Sequence, residues 1–198
     1  MKLKRCIAMV ACCAALSMPL AAWPQAEKPK PKMATPNVPV APAVSLNALL
    51  GLLEKEVVSA ADAMPAEKYD FAPSGPGEFT GVRSFSSQVK HLAEANYEFF
   101  DGWGVPGAVD SKTIEALKSK DDIMKALRDS YKYAHTAVDS ITTENAFLSL
   151  PAPESYKATR ASMAAFCMAH SMDHYGQLVE YLRMNGIVPP ASRKGSNM

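Results

Sequence analysis

The stretch HSMDHYGQLVEYLRMNGIVPP, residues 170–190, decides the fold class of this chain. Its apolar residues recur at helical spacing, and Gly186 followed by Pro189 marks where the helix ends. His170 and His174 lie four residues apart, so at about 100° per residue they occupy one helix face, roughly 40° apart. They share that face with an apolar stripe, which predicts that both imidazoles point into the protein.

Two interpretations of this histidine pair stand side by side. A buried imidazole needs a partner for each ring nitrogen, and two imidazoles one helical turn apart repel each other if both take up a proton. A cation shared between them is one solution. The other is a pair of core histidines that bond to neighbouring hydroxyls and carbonyls.

Helical periodicity predicts an all-α fold, in the form of a four-helix bundle with long crossover loops. Ser45 is the expected N-cap of the first helix, and no segment alternates over enough residues to predict a strand. The connections 65–83 and 103–119 are long enough to cross the bundle. The predicted helices are 45–64, 84–100, 120–141 and 154–185.

The N-terminal part of the chain predicts export. Residues 1–22 combine a basic start with a short apolar run and small residues, as in a signal peptide cleaved between positions 22 and 26. That run is too short for an ordinary membrane span, so the mature chain is expected to be periplasmic or extracellular without stable membrane insertion. Residues 23–43, rich in proline and lysine, predict a disordered linker, which leaves 44–198 as the domain.

Charge and cysteine content narrow the function classes. Loss of the three basic residues in the signal peptide leaves a net charge of about −2, without a basic face, so nucleic-acid binding is not expected. Cys6, Cys12 and Cys13 lie in the same segment. Cys167 then remains alone, so the domain has no internal disulfide.

Three stretches together carry a resemblance to a known family. They are AADAMPAEKYDFAP at 60–73, VRSFSSQVKHLAEANYEFF at 82–100, and the tail at 170–190. In these stretches the chain resembles the DinB superfamily, whose members are four-helix bundles with three metal-binding histidines. The resemblance implies that His91, His170 and His174 are the metal ligands. It also leaves a homodimer open, since family members often look dimeric.

The implied site favours a reactive metal centre. Three imidazoles form an incomplete shell with an open position, and they suit zinc, nickel, iron or copper better than magnesium or calcium. The resemblance implies a metal-dependent enzyme that acts on a small molecule or thiol, as a thiol transferase, a thiol-dependent isomerase or a hydrolase. The alternatives are a non-catalytic metal-binding or stress-response bundle, and a metal-free bundle that docks a partner through its long loops.

The residues around the histidine pair each have two interpretations. Asp173 and Gln177 have the reach to bond an imidazole N–H, and for Asp173 the alternative is a side chain in solvent. Cys167 is either a fourth ligand or redox-sensitive thiol, or a small buried apolar residue. His135 has no motif partner and is expected at the surface or its boundary. The sequence does not indicate a general base.

Overall fold

The computed structural model describes residues 33–74, 80–151 and 157–195. The predicted signal peptide, 1–22, and the linker up to residue 32 lie outside the described residues. The helices all belong to one compact unit, Pro39–Met198.

The described residues are helical, as predicted. They contain no β-strand and one isolated bridge, between Ser149 and Thr159. Among them, no helix combines the length and the apolar character that a membrane crossing requires. The helices are α1 Pro42–Ala63, α2 Phe85–Glu98, α3 Ser111–Glu115, α4 Lys120–Asp139 and α5 Arg160–Met184, with two short 3-10 turns at Ala66–Lys68 and Pro190–Ser192.

The first helix begins earlier than predicted. Pro42 occupies its first turn, where the fixed φ of proline suits a helix and the missing N–H has no intrahelical partner to lose. Ser45 is therefore not the N-cap: its N–H already bonds to the carbonyl of Ala41 at 3.1 Å. Pro42 and Ala43 belong to the helix and not to the predicted linker.

The last helix begins later than predicted. Its expected start, Glu154, lies outside the described residues, and α5 begins at Arg160. Thr159 caps it: its hydroxyl accepts from the Ser162 N–H, and the Ser162 hydroxyl accepts from the Thr159 N–H, which makes a capping box. The end is as predicted, because Gly186 adopts a φ of 73° and its N–H bonds to the Arg183 carbonyl.

The four long helices form a bundle in which each has two neighbours. α1 packs on α4 and α5, and α2 packs on α4 and α5. The packing of α2 on α4 is more extensive than that of α2 on α5. Helices that follow each other across the 64–84 and 140–159 connections are therefore diagonal partners, so the bundle is not a simple hairpin series.

The direction of the helices explains the long middle connection. Tyr69 contacts both Phe85 at the start of α2 and Met124 at the start of α4. Further along, the Asn96 amide donates to the Ser130 hydroxyl at 3.0 Å, so α2 and α4 run parallel. The chain must then return along the bundle between them. The predicted crossing by 103–119 is therefore confirmed, with α3 packed against α2 on the way.

The core lies between the four long helices. Its largest fully buried side chains come from all five helices and from the residues just after α1 and α2: Leu50, Val57, Met64, Phe85, Leu92, Phe100, Ile114, Ile123, Leu127, Tyr131, Leu178 and Leu182. Burying a side chain of this size stabilises the fold by about 1.5–3 kcal/mol. Most of these side chains lie on the four long helices, whereas Ile114 comes from the short helix α3, which periodicity did not predict.

Replacing the observed N-cap of α5 tests the corrected helix start. We expect Thr159→Ala to lower the free energy of unfolding by about 0.5–2 kcal/mol, because the capping bonds are lost. Ser45→Ala is the matched control. It should leave stability unchanged or slightly higher, since Ser45 lies inside α1 and alanine has the better helix propensity. Urea unfolding followed by circular dichroism measures both, and an equal loss in the two variants would contradict the assignment.

Candidate metal centre

Three histidines from two helices meet at one point. α2 carries His91, and α5 carries His170 and His174 one turn apart. The Nε2 atom of His170 lies 3.2 Å from Nε2 of His91 and 3.2 Å from Nε2 of His174. One ligand atom from each histidine lies within 4.8 Å of the other two. The fold thus brings together residues that are 79 positions apart in the chain.

Ordinary hydrogen bonds do not satisfy this arrangement. A neutral imidazole nitrogen has either one proton or one lone pair, so Nε2 of His170 completes a good bond with only one of the two nitrogens it faces. The three rings pack edge to face, with centroids 4.5–5.1 Å apart. A cation that accepts all three lone pairs would satisfy every Nε2 atom at once.

The spacing of the nitrogens fits a first-row transition metal. Two nitrogens bound at 2.0–2.1 Å are about 3.3 Å apart at a tetrahedral angle and about 2.9 Å apart at a right angle. The observed separations of 3.2 Å fall between these values. The donor set therefore fits such an ion in number and chemistry, and the two separations that involve His170 fit it in spacing.

The protonation of the histidines also suits metal binding. His174 is 6% exposed, and His91 and His170 are half-buried. Burial lowers the pKa of His91 to about 4, helped by the positive charge of Arg83, and burial with the nearby His170 lowers the pKa of His174 to about 4. Burial lowers the pKa of His170 as well. All three imidazoles are neutral at pH 7 and keep a lone pair for a metal.

The sequence profile of the DinB superfamily matches residues 49–178, about two thirds of the chain. The chain belongs to the DinB superfamily. The matched range includes all three histidines of this DinB centre. No curated protein matches the chain.

The two polar residues predicted to flank the DinB histidines bond elsewhere. The Gln177 amide donates to Asp173 Oδ2 at 3.3 Å and accepts from the Gln88 amide at 2.5 Å. Neither Asp173 nor Gln177 has a hydrogen bond to an imidazole among the described residues. Asp173 still acts on the centre through its charge, which raises the pKa of His170 and His174 against the effect of burial.

Two buried polar atoms beside the centre have no hydrogen-bond partner among the described groups. They are Nδ1 of His174 and Oε1 of Gln88. If Nε2 of His174 bound a metal, its Nδ1 would carry the proton and act as a donor, whereas Oε1 of Gln88 can only accept. With a metal on Nε2 of His174, one of these two atoms would therefore be a hydrogen-bond donor and the other an acceptor.

Glu94 is a neighbour of the centre that the sequence did not single out. Its Oε2 lies 4.0 Å from Nδ1 of His91, and the carboxyl group is half-buried. Burial, with the negative charges of Glu115 and Glu98, raises the pKa of Glu94. Its position three residues after His91 on the same helix face is the signal that identifies it.

Cys167 does not join the group of histidines. Its thiol is 1% exposed and donates to the Asn96 amide oxygen at 3.4 Å. Burial raises the pKa of Cys167 to about 12, so the thiolate that would bind a metal or react with an oxidant is disfavoured. Of the two interpretations, the structure supports the buried apolar residue.

His135 is also separate from the centre, as expected. Its Nδ1 faces the Asn47 amide oxygen at 2.7 Å and its Nε2 faces Glu54 Oε2 at 3.1 Å. The Asn47 amide nitrogen in turn donates to Asp139 at 2.5 Å. His135 is thus half-buried at the boundary of the protein, within the expected range, and links α1 to α4.

Acid should destabilise the metal-free DinB domain through the histidine centre. The pKa values of His91 and His174 are about 4 in the folded state and about 6.5 in an unfolded chain. Between these values the unfolded chain binds more protons, so the free energy of unfolding falls as the pH falls from about 6.5 to about 4. Urea unfolding of chelator-treated protein at about pH 7 and about pH 5 measures the loss.

The control for this experiment is the His91→Gln, His174→Gln double variant. It should lose less stability over the same pH interval, because two of the proton-accepting groups are gone. Equal losses in the two proteins would assign the pH dependence to other groups.

The burial of Cys167 predicts that its thiol reacts slowly with alkylating reagents. In the folded protein, iodoacetamide should label Cys167 far more slowly than in about 8 M urea, since the reacting thiolate is nearly absent and the sulfur is covered. Mass spectrometry of the peptide that contains Cys167 measures the labelled fraction. Equally fast labelling in the two conditions would contradict the observed burial.

Proposed function

We propose that this chain binds a divalent transition metal through Nε2 of His91, His170 and His174 and uses it in an enzymatic reaction. The observation that carries the proposal is the convergence of three neutral imidazoles, in which Nε2 of His170 lies 3.2 Å from Nε2 of His91 and 3.2 Å from Nε2 of His174. Membership of the DinB superfamily supports it. The reaction types that we propose are thiol transfer and hydrolysis of a small molecule.

Imidazole ligands favour zinc, nickel or iron as the ion. When bound, the ion supplies a Lewis acid with an open position for a reacting group. The chain's own residues hold and orient this centre. Glu94, beside Nδ1 of His91, favours the tautomer with the proton on Nδ1, which leaves the Nε2 lone pair free to bind.

A non-catalytic metal-binding bundle is the second candidate. The observation that favours it is the packing of α2 on α5, which is less extensive than that of α2 on α4. An ion held by both helices would stabilise this weaker contact. In this case removal of the ion lowers the melting temperature, but no small molecule or thiol binds at the open position.

Elemental analysis tests the metal centre directly. We expect about one transition-metal ion per chain in protein purified without chelator or metal-affinity resin, because three neutral imidazoles supply the three protein ligands of a site with one open position. A His170→Ala, His174→Ala double variant should lose the ion. His135→Gln is the matched control and should retain it, since His135 lies between α1 and α4.

Negligible metal in the unmodified protein, persisting after incubation with zinc, nickel and iron salts, would overturn the proposal. Metal retained at the same level in the double variant would overturn the assignment of the ligands. Screening of thiol and hydrolytic substrates with the loaded protein then separates the enzyme from the non-catalytic bundle.

A further inference from the structure

The line along which α2 faces α5 carries groups on both sides of the three histidines. We call this line the α2/α5 seam. As residue numbers rise along α2, the numbers of the facing residues on α5 fall, so the two helices are antiparallel. The seam is defined by four contacts, those of Arg83 with Tyr181, Gln88 with Gln177, His91 with His170, and Phe99 with Phe166.

One end of the seam is aromatic. The Phe99 ring packs edge to face against His170, with centroids 5.2 Å apart, and against Phe166, with centroids 5.1 Å apart. Phe166 is 46% exposed. A continuous apolar surface therefore runs from the edge of the histidine centre out to solvent. Single exposed apolar residues are common on proteins, but this one is joined to the candidate site.

The other end of the seam is cationic. Arg83 directly precedes Ser84, the N-cap of α2, and its side chain is exposed. The Tyr181 hydroxyl donates to the Arg83 backbone carbonyl at 3.1 Å, so Arg83 lies at the end of the seam beyond Gln88 and Gln177. Within the described residues, no carboxylate comes within 4.0 Å of this guanidinium.

None of the described negative groups near the centre forms an ion pair with Arg83. Glu98 belongs to the aromatic end, next to Phe99 in sequence. Asp173 accepts a hydrogen bond from Gln177, and Glu94 faces Nδ1 of His91. The exposed guanidinium keeps its planar set of donors, which matches the two oxygens of a carboxylate.

The geometry points to an elongated organic anion as the ligand of the α2/α5 seam. We propose that its carboxylate pairs with Arg83, that its apolar end lies on Phe99 and Phe166, and that its middle passes the three histidines. His91 is eight residues from both Arg83 and Phe99, or about 12 Å along a helix axis in each direction. The backbones of Arg83 and Phe99 are then about 24 Å apart along α2, and the reach of their two side chains leaves a gap on the order of 10 Å for the ligand, which excludes the smallest acids.

This inference deepens the proposed function, since it names the substrate class of the same centre. Arg83 and the two phenylalanines need no ion to bind the ligand. Binding can therefore be measured on both metal-loaded and chelator-treated protein, and the two proposals can fail separately.

Calorimetric titration with 6-phenylhexanoate tests the inference. The comparison ligands are its neutral amide and hexanoate, which lack the charge and the ring respectively. Arg83→Gln should weaken binding of 6-phenylhexanoate about tenfold, the value of one charge-assisted contact, and leave binding of the amide unchanged. Arg128→Gln is the matched control on α4 and should bind as the unmodified protein does.

The aromatic end has its own variant and control. Phe166→Ala should weaken 6-phenylhexanoate and its amide alike, by about fivefold or more, and should leave hexanoate unchanged. Phe147→Ala removes another exposed phenylalanine, 80% exposed in the connection after α4, and should have no effect.

Three results would overturn the inference: equal affinity for the acid and its amide, an Arg83→Gln effect no larger than that of Arg128→Gln, or no binding at millimolar ligand. If these appear while the protein holds its metal, the metal centre stands and the substrate class is wrong. If the protein holds no metal but binds 6-phenylhexanoate with the expected variant effects, the seam stands and the proposed metal chemistry is wrong.

Discussion

The register of α2 against α5 is the constraint on which the rest of the site depends. Contacts between Phe99 and Phe166 and between Gln88 and Gln177 fix how far one helix is shifted along the other. A shift of one residue along a helix is about 1.5 Å, and it also turns the side chain by about 100°. After such a shift, Nε2 of His91 and Nε2 of His170 would no longer lie 3.2 Å apart. The packing on both sides of the histidines therefore determines whether they converge.

The topology of the bundle sets this register from a distance. Because α2 and α4 run parallel, the chain returns along the bundle through α3, and α2 is held on that side by its extensive contact with α4. A buried polar network adds to this, since Asn96 bonds both Ser130 on α4 and Cys167 on α5. Buried polar groups of this kind favour one arrangement over its neighbours, because each alternative leaves a donor or acceptor without a partner.

Sequence periodicity was sufficient for the helices but not for their ends. The four long helices follow from apolar spacing, and Gly186 ends α5 as its conformational freedom suggests. The start of α5 was missed because Glu154 prolongs a helical pattern, whereas Thr159 and Ser162 provide the actual cap. The start of α1 was missed because a serine was preferred to a proline at the first turn.

For the histidine cluster too, the sequence indicated one part of the arrangement and not the other. The spacing of His170 and His174 indicated a shared face from sequence alone, but His91 came from the family resemblance, since nothing local links residues on different helices. The bonds of Gln177 depended on Gln88, and those of Cys167 on Asn96, and both partners lie on the facing helix. Helical spacing gives the face of a residue, and only the packing of two helices gives its partner.

His91 and His170 are 79 positions apart, and the described cysteine, Cys167, is a free thiol. An ion bound at this point is then a cross-link between distant parts of the chain. Because such an ion would bind the folded chain and not the unfolded one, it would stabilise the fold by an amount that rises with the free metal concentration relative to the dissociation constant. Unlike a disulfide, this cross-link would open with acid or a chelator and would not respond to a thiol reductant. The free energy of unfolding of the domain would thus depend on the concentration of metal in its surroundings.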